Sequence, residues 1–81
     1  MLKIYGSDLC PDCIQCKAEL DAAGVAYEYL SITDDLRNLK AFLKLRENRA
    51  EFASVRAGES IGIPCILTAE DHLTFDWGSY L

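Results

Sequence analysis

The sequence predicts an α/β domain, a mixed β-sheet with helices packed against it. Three observations predict it. Strand-like and helix-like segments follow one another in the order β-α-β-α-β-β. The first β-α-β unit brings its two strands parallel, joined by a crossover helix. The last two strands are separated by a tight turn and pair antiparallel. Helices of this kind bury their apolar stripes against such a sheet.

Leu2-Lys3-Ile4-Tyr5 alternates and is rich in strand formers, and Gly6-Ser7-Asp8 breaks it. Pro11 opens the first helix, where its missing N–H has no partner to lose. Cys13, Cys16, Leu20 and Ala23 recur at helical spacing. Gly24 stands where a helix end favours positive φ. The second strand runs from Val25 to Ile32, with Tyr27 and Tyr29 on one face and Leu30 and Ile32 on the other. Thr33-Asp34-Asp35 caps the second helix. Its expected apolar stripe is Leu36, Leu39 and Leu43, with Phe42 beside it. Helix resumes or continues from Ala50 to Val55, and Gly58 and Gly62 mark a loop. Cys65 to Thr68 and His72 to Phe75 are the last strands, turning at Glu70-Asp71.

Size and composition narrow the function. Residues 1–81 hold one domain, because chains this short bury only about 60–65 % of the surface they can expose. With 51 % hydrophobic and 26 % charged residues the chain is expected to be globular, not disordered. A net charge of −5 argues against nucleic acid, whose phosphates demand clustered Lys and Arg. No apolar run after Met1 suits a signal peptide, and none approaches the ~20 residues of a membrane span. The expectation is a soluble, cytoplasmic protein that meets no membrane. There, four cysteines point to catalysis or metal binding more than to structural disulfides.

Cys10-Pro11-Asp12-Cys13 is a C-x-x-C motif between a strand and a helix start. Spacing i to i+3 puts both sulfurs on one side of the first turn. Unpaired N–H groups and the positive end of the helix dipole favour a thiolate at Cys10. The thiolate is the form that attacks a disulfide.

Ile4-Tyr5, then Cys10-Pro11-Asp12-Cys13, then Ile63-Pro64 before the third strand, resembles the glutaredoxin family over nearly the whole chain. The resemblance implies a thioredoxin-like fold with sheet order 2-1-3-4. It makes Cys10 the nucleophile and Cys13 the residue that resolves the mixed disulfide. It makes Pro64 a cis proline beside the cysteines and gives Ile63 a backbone pairing with the bound thiol compound. Substrate contacts fall by the same resemblance on Pro11, Ile63, Pro64 and Asp76. The implied partners are protein disulfides or glutathione, and a reductase or small thiol that resets the pair. Neither a metal nor an organic cofactor is implied, and glutathione enters as a co-substrate.

The departures from the family bear on glutathione. Asp12 replaces Tyr between the cysteines, and Ser7 stands where many glutaredoxins place a glutathione-binding Lys. Thr74-Phe75-Asp76 stands where the family has Gly-Gly and an acid. The segment before Pro64 is longer than usual, and the residues of the family's final helix are missing. A protein-disulfide reductase with weak glutathione binding is therefore expected.

Two other function classes remain open from sequence. Cys10, Cys13 and Cys16 form C-x-x-C-x-x-C, which with Cys65 would supply four ligands to a metal or iron–sulfur cluster. A strand residue after Pro64 should face away from it, however, and Cys16 lies on the apolar stripe. The other class is a redox-inactive binding domain that keeps the fold. Lys40, Lys44, Arg46, Arg49 and Arg56 read as a solvated face, with Arg49 or Arg56 reaching a substrate carboxylate as the alternative. His72 reads as a surface residue. Trp77, Tyr80 and Leu81 are expected to fold onto the sheet, with self-association of a monomer into a weak dimer as the alternative.

Overall fold

In the computed structural model, which describes residues 1–81, β1 (Leu2–Gly6) is bonded on both edges. It runs parallel to β2 (Tyr27–Ser31) and antiparallel to β3 (Cys65–Leu67), and β3 pairs antiparallel with β4 (Leu73–Thr74). The sheet order is thus 2-1-3-4, as expected. The turn into β4 places Asp71 at φ 66, with its N–H donating to the Thr68 carbonyl. Asp tolerates that left-handed conformation better than most residues.

Alternation along the strands divides the core in two. Ile4 and Ile66 point to one face and pack with Cys16 and Leu20 of α1 (Pro11–Ala22). Tyr27, Tyr29, Trp77 and Tyr80 close that layer. The last two belong to a 3₁₀ turn, Trp77–Tyr80, and fold onto the sheet as expected, whereas Leu81 stays 58 % exposed. Tyr5 and Cys65 point to the other face, toward Phe42 of α2 (Leu36–Asn48) and Phe52 of a 3₁₀ turn, Ala50–Phe52. That turn leads into α3 (Ala53–Ala57). Tyr5, Phe42, Phe52 and Phe75 form a chain of ring contacts at 6.1, 5.7 and 5.0 Å, the last two edge to face.

Two expected stripes need correction. On α1, Cys13, Cys16 and Leu20 are fully buried, but Ala23 lies past the helix end and is exposed. On α2, Leu36 is 79 % exposed and Leu43 40 %, whereas Phe42 is buried. Successive helical residues differ by about 100° around the axis, so seating the large Phe42 ring against Tyr5 and Phe52 turns Leu43 outward. Leu36 is the first helical residue after the cap. The Asp35 carboxylate accepts from the Arg37 N–H at 2.8 Å. Of the expected stripe Leu39 does pack against this core, joined by Ala41 and Leu45.

Basic residues of this layer tie loops together. Arg46 donates to the carbonyls of Ile61 (3.1 Å) and Ser60 (3.2 Å), and Arg56 to those of Arg46 (2.7 Å) and Arg49 (2.9 Å). Gly62 lies at φ 94, where a Cβ would come within 2.7 Å of the Phe52 ring. Only glycine lets the chain pass there before the cis Ile63–Pro64 bond. No helix is long and apolar enough to cross a membrane.

The corrected stripe has a measurable consequence. Phe42→Ala is expected to lower unfolding free energy by about 3–5 kcal/mol, the cost of emptying a large core site. Leu36→Ala should change it by less than about 0.5 kcal/mol, as at other exposed positions. Urea denaturation of both variants checks this, and equal losses would restore Leu36 to the stripe.

Candidate active site

The end of β1 delivers a short loop to the start of α1. Its geometry follows from local hydrogen bonds. The Ser7 hydroxyl is buried and pairs with the Thr33 hydroxyl at 2.8 Å. It also accepts the Leu9 N–H at 3.1 Å, and the Ser7 carbonyl accepts the Cys10 N–H at 3.0 Å. Ser7 thus braces the loop. Cys10 is the N-cap of α1, in extended conformation at φ −103, and Pro11 is the first helical residue. The Cys10 carbonyl accepts the N–H groups of Cys13 (3.1 Å) and Ile14 (3.2 Å).

The two thiols of the motif differ sharply in environment. Cys10 is half-buried and lines a groove of about 190 Å³ with Leu9, Ile61 and Ile63. Cys13 is fully buried behind it. Burial pushes the Cys13 thiol up to about 12, against the Ser7 backbone N–H, which favours its thiolate; the Cys10 sulfur adds to the rise. All four cysteines are free thiols.

A second groove, of about 280 Å³, adjoins the first at Ile63 and runs past Pro64 to Phe75 and Trp77. Asp12 is its one ionisable wall residue. Ile63 therefore joins both grooves, and no hydrogen bond within the chain engages its backbone. Pro11 faces elsewhere: with Leu9 and Ile14 it edges an apolar groove of about 580 Å³ on the outer side of α1. Asp76 lines none of these grooves. Its carboxylate caps the last 3₁₀ turn, accepting the Gly78 N–H at 3.0 Å.

Cys16 and Cys65 are not gathered with the pair. Cys16 packs among Ile4, Leu20 and Ile66 on one face of the sheet, and Cys65 among Tyr5, Phe42 and Phe52 on the other. No group of three His, Cys, Asp or Glu side chains is arranged to hold a metal ion, so the four-thiol reading loses its geometry. Arg49 and Arg56 do not reach the grooves either. Arg49 is held by Glu51 at 3.0 Å and Asp71 at 3.2 Å, and Arg56 by the carbonyls named above. The solvated-face reading holds for Lys40, Lys44 and Arg56, which are exposed, while Arg46 and Arg49 are half-buried; all three arginines also bond to neighbouring carbonyls. His72 is exposed, as expected.

The glutaredoxin profile matches residues 2–72. The chain belongs to the glutaredoxin family. A Haemophilus influenzae protein described as uncharacterized is 37 % identical over 73 residues, spanning 90 % of this chain and 85 % of that one. No solved structure matches. The glutaredoxin fold seen here carries its C-x-x-C pair at the start of α1. Membership implies glutathione or other disulfides as substrates in general, and thiol–disulfide exchange as the chemistry.

The unequal burial of the thiols predicts selective labelling. Iodoacetamide at limiting concentration and pH 8 should modify Cys10 alone. Burial pushes Cys65 up to about 12 and Cys16 to about 11, so these and Cys13 stay protonated and shielded until near pH 11. Peptide mass spectrometry checks this, and preferential modification of Cys13 would reverse the assignment of nucleophile.

Proposed function

We propose that this glutaredoxin reduces disulfides in proteins and peptides through the Cys10–Cys13 dithiol, with glutathione a poor partner. The observation that carries the reading is the placement of Cys10. It is the accessible sulfur at a helix N-terminus, in an apolar groove, with a second thiol buried directly behind it. The exposed sulfur captures a substrate disulfide. The buried one is shielded from solvent and meets the resulting mixed disulfide at effectively intramolecular concentration.

The step balances without a cofactor. Cys10 Sγ, as thiolate, bonds to one sulfur of the substrate disulfide, and the other sulfur leaves as a thiolate. Cys13 Sγ then bonds to Cys10 Sγ, and the second substrate sulfur leaves. The substrate gains two electrons and two protons, and the protein is left with a Cys10–Cys13 disulfide. A reductase or small thiol restores it.

The groove chemistry favours an apolar, extended segment over glutathione. Leu9 and Ile61, 84 % and 58 % exposed, rim the sulfur. The free backbone of Ile63 suits pairing with an extended chain. Glutathione carries two carboxylates that need cationic partners, and neither groove is walled by Lys or Arg. Lys17, on α1 nearby, is engaged by Asp8 at 2.7 Å. The net charge of −5 adds a repulsive field that salt screens beyond ~8–10 Å.

Cys10→Ser should abolish disulfide reduction. Cys13→Ser should stop the reaction at a mixed disulfide visible as an added mass. Titration of that species with reduced glutathione should show no saturation at micromolar concentration, and saturation there would overturn the partner preference. A free-thiol count that does not change between oxidised and reduced protein would instead identify a redox-inactive binding domain.

A further inference from the structure

Tyr29 carries the single buried side-chain polar atom that has no hydrogen-bond partner. A hydroxyl withdrawn from water without a partner costs stability in the resting protein, so such a group calls for an explanation. Its surroundings supply one. Gly6 closes β1, and a Cβ there would lie 2.9 Å from the Tyr29 hydroxyl and 3.0 Å from Cys13 Sγ. The oxygen and the sulfur therefore flank the same small space, left open by the missing side chain of Gly6.

The other neighbours do not satisfy the hydroxyl. The Asp8 carboxylate lies near enough to act on the phenol as a hydrogen-bonding neighbour in the titration of both groups, yet the pair does not reach the distance and angle of a formed hydrogen bond. The Asp8 carboxylate is taken by Lys17 Nζ at 2.7 Å. That ammonium lies 4.1 Å from the centroid of the Tyr29 ring. Lys17 thus offsets the charge of Asp8 and covers the phenol. The phenol itself stays protonated, because burial raises it well above its ordinary value and the Cys13 sulfur and the Asp8 carboxylate add to that. It is a donor awaiting an acceptor.

We propose that the Tyr29 hydroxyl donates a hydrogen bond to the Cys13 thiolate while that sulfur resolves the mixed disulfide. The inference rests on the exchange reaction proposed above and assigns a residue to its second half. Cys13 must first lose its proton, which passes to solvent base. The sulfur then carries a full negative charge in a buried place, with the Ser7 backbone N–H as its other donor. Hydrogen bonds to a charged acceptor are the strong ones. Cys13 Sγ bonds to Cys10 Sγ, and the Cys10–substrate S–S bond breaks. The departing thiolate takes up a proton. Once Cys13 is in the disulfide it is a weak acceptor, and the hydroxyl is released. The titratable groups that act on Cys13 are Cys10, at the cap of its helix, and more weakly Cys16, further along it, with the phenol of Tyr29 across from the sulfur. Beyond the phenol lie Asp8 and Lys17, bound to each other.

The test is Tyr29→Phe in the whole protein, with one equivalent of 5,5′-dithiobis(2-nitrobenzoate) as the probe disulfide. Attack by Cys10 releases the first thionitrobenzoate, and resolution by Cys13 releases the second. Both are read by absorbance. The variant should release the first at the natural rate and the second about tenfold more slowly at pH 7, the scale of a charge-assisted hydrogen bond. The pH midpoint of the second step should rise by about one unit. Tm should hold or increase, because the variant removes an unpaired buried oxygen and keeps the ring. A second release with natural rate and pH profile overturns the inference alone. So does a slower one whose pH midpoint has not moved, because that is a packing effect. Failure of the natural protein to release the first equivalent overturns the exchange reaction itself, and this inference with it.

Discussion

Everything at the site depends on β1 being paired along both edges. Its register puts Gly6 opposite Ser31 on one side and Tyr5 opposite Cys65 on the other. The three strands consequently end at one level. The Ile32 N–H extends the parallel ladder by one bond, to the Gly6 carbonyl at 2.9 Å. The loop carrying Cys10, the segment Ile63–Pro64 and the Thr33 turn then meet at that end. A slip of one residue in either pairing would reverse the faces of Ile4 and Tyr5 and separate the proline from the cysteines.

The same alternation gives each cysteine its character. Cys13 and Cys16 lie on the buried stripe of α1, and Cys65 follows Pro64 onto the opposite face of the sheet. Only Cys10, at the cap, escapes the stripe. A helix that began one residue earlier or later would alter which sulfur is accessible. Pro11 and the Ser7 brace hold that starting point. The proposed division of labour, one thiol attacking and the other resolving, is thus a matter of helix phase.

Charge is handled by confinement. Arg46, Arg49 and Arg56 all lie on the α2–α3 side and are taken up by backbone carbonyls and acids there. The exposed ion pairs of Arg49 add little stability. The arginines' effect is geometric: Arg46 holds residues 60 and 61 where Ile61 can rim the Cys10 groove. The groove is left without a cation, which sets the reading against glutathione.

The sequence by itself determined the element order, the C-x-x-C motif at a helix start, the division of Tyr27 and Tyr29 from Leu30 and Ile32, and the outward turn at Asp71. These are local matters of periodicity and turn chemistry. The sheet order and the cis proline came from resemblance to a family. Tertiary structure alone decided what depends on residues distant in the chain. Phe42 displaced Leu36 and Leu43 from the core because its ring meets Tyr5 and Phe52, and no periodicity weighs one apolar residue against another by the partners it will find. Arg49 and Arg56 turned from the grooves because Asp71, Glu51 and two carbonyls lay nearer. Asp76 became a cap because Gly78 follows it in a tight turn. The Tyr29 hydroxyl had no signal in sequence at all: its place beside Cys13 exists only where β1, β2 and α1 converge on a residue without a side chain.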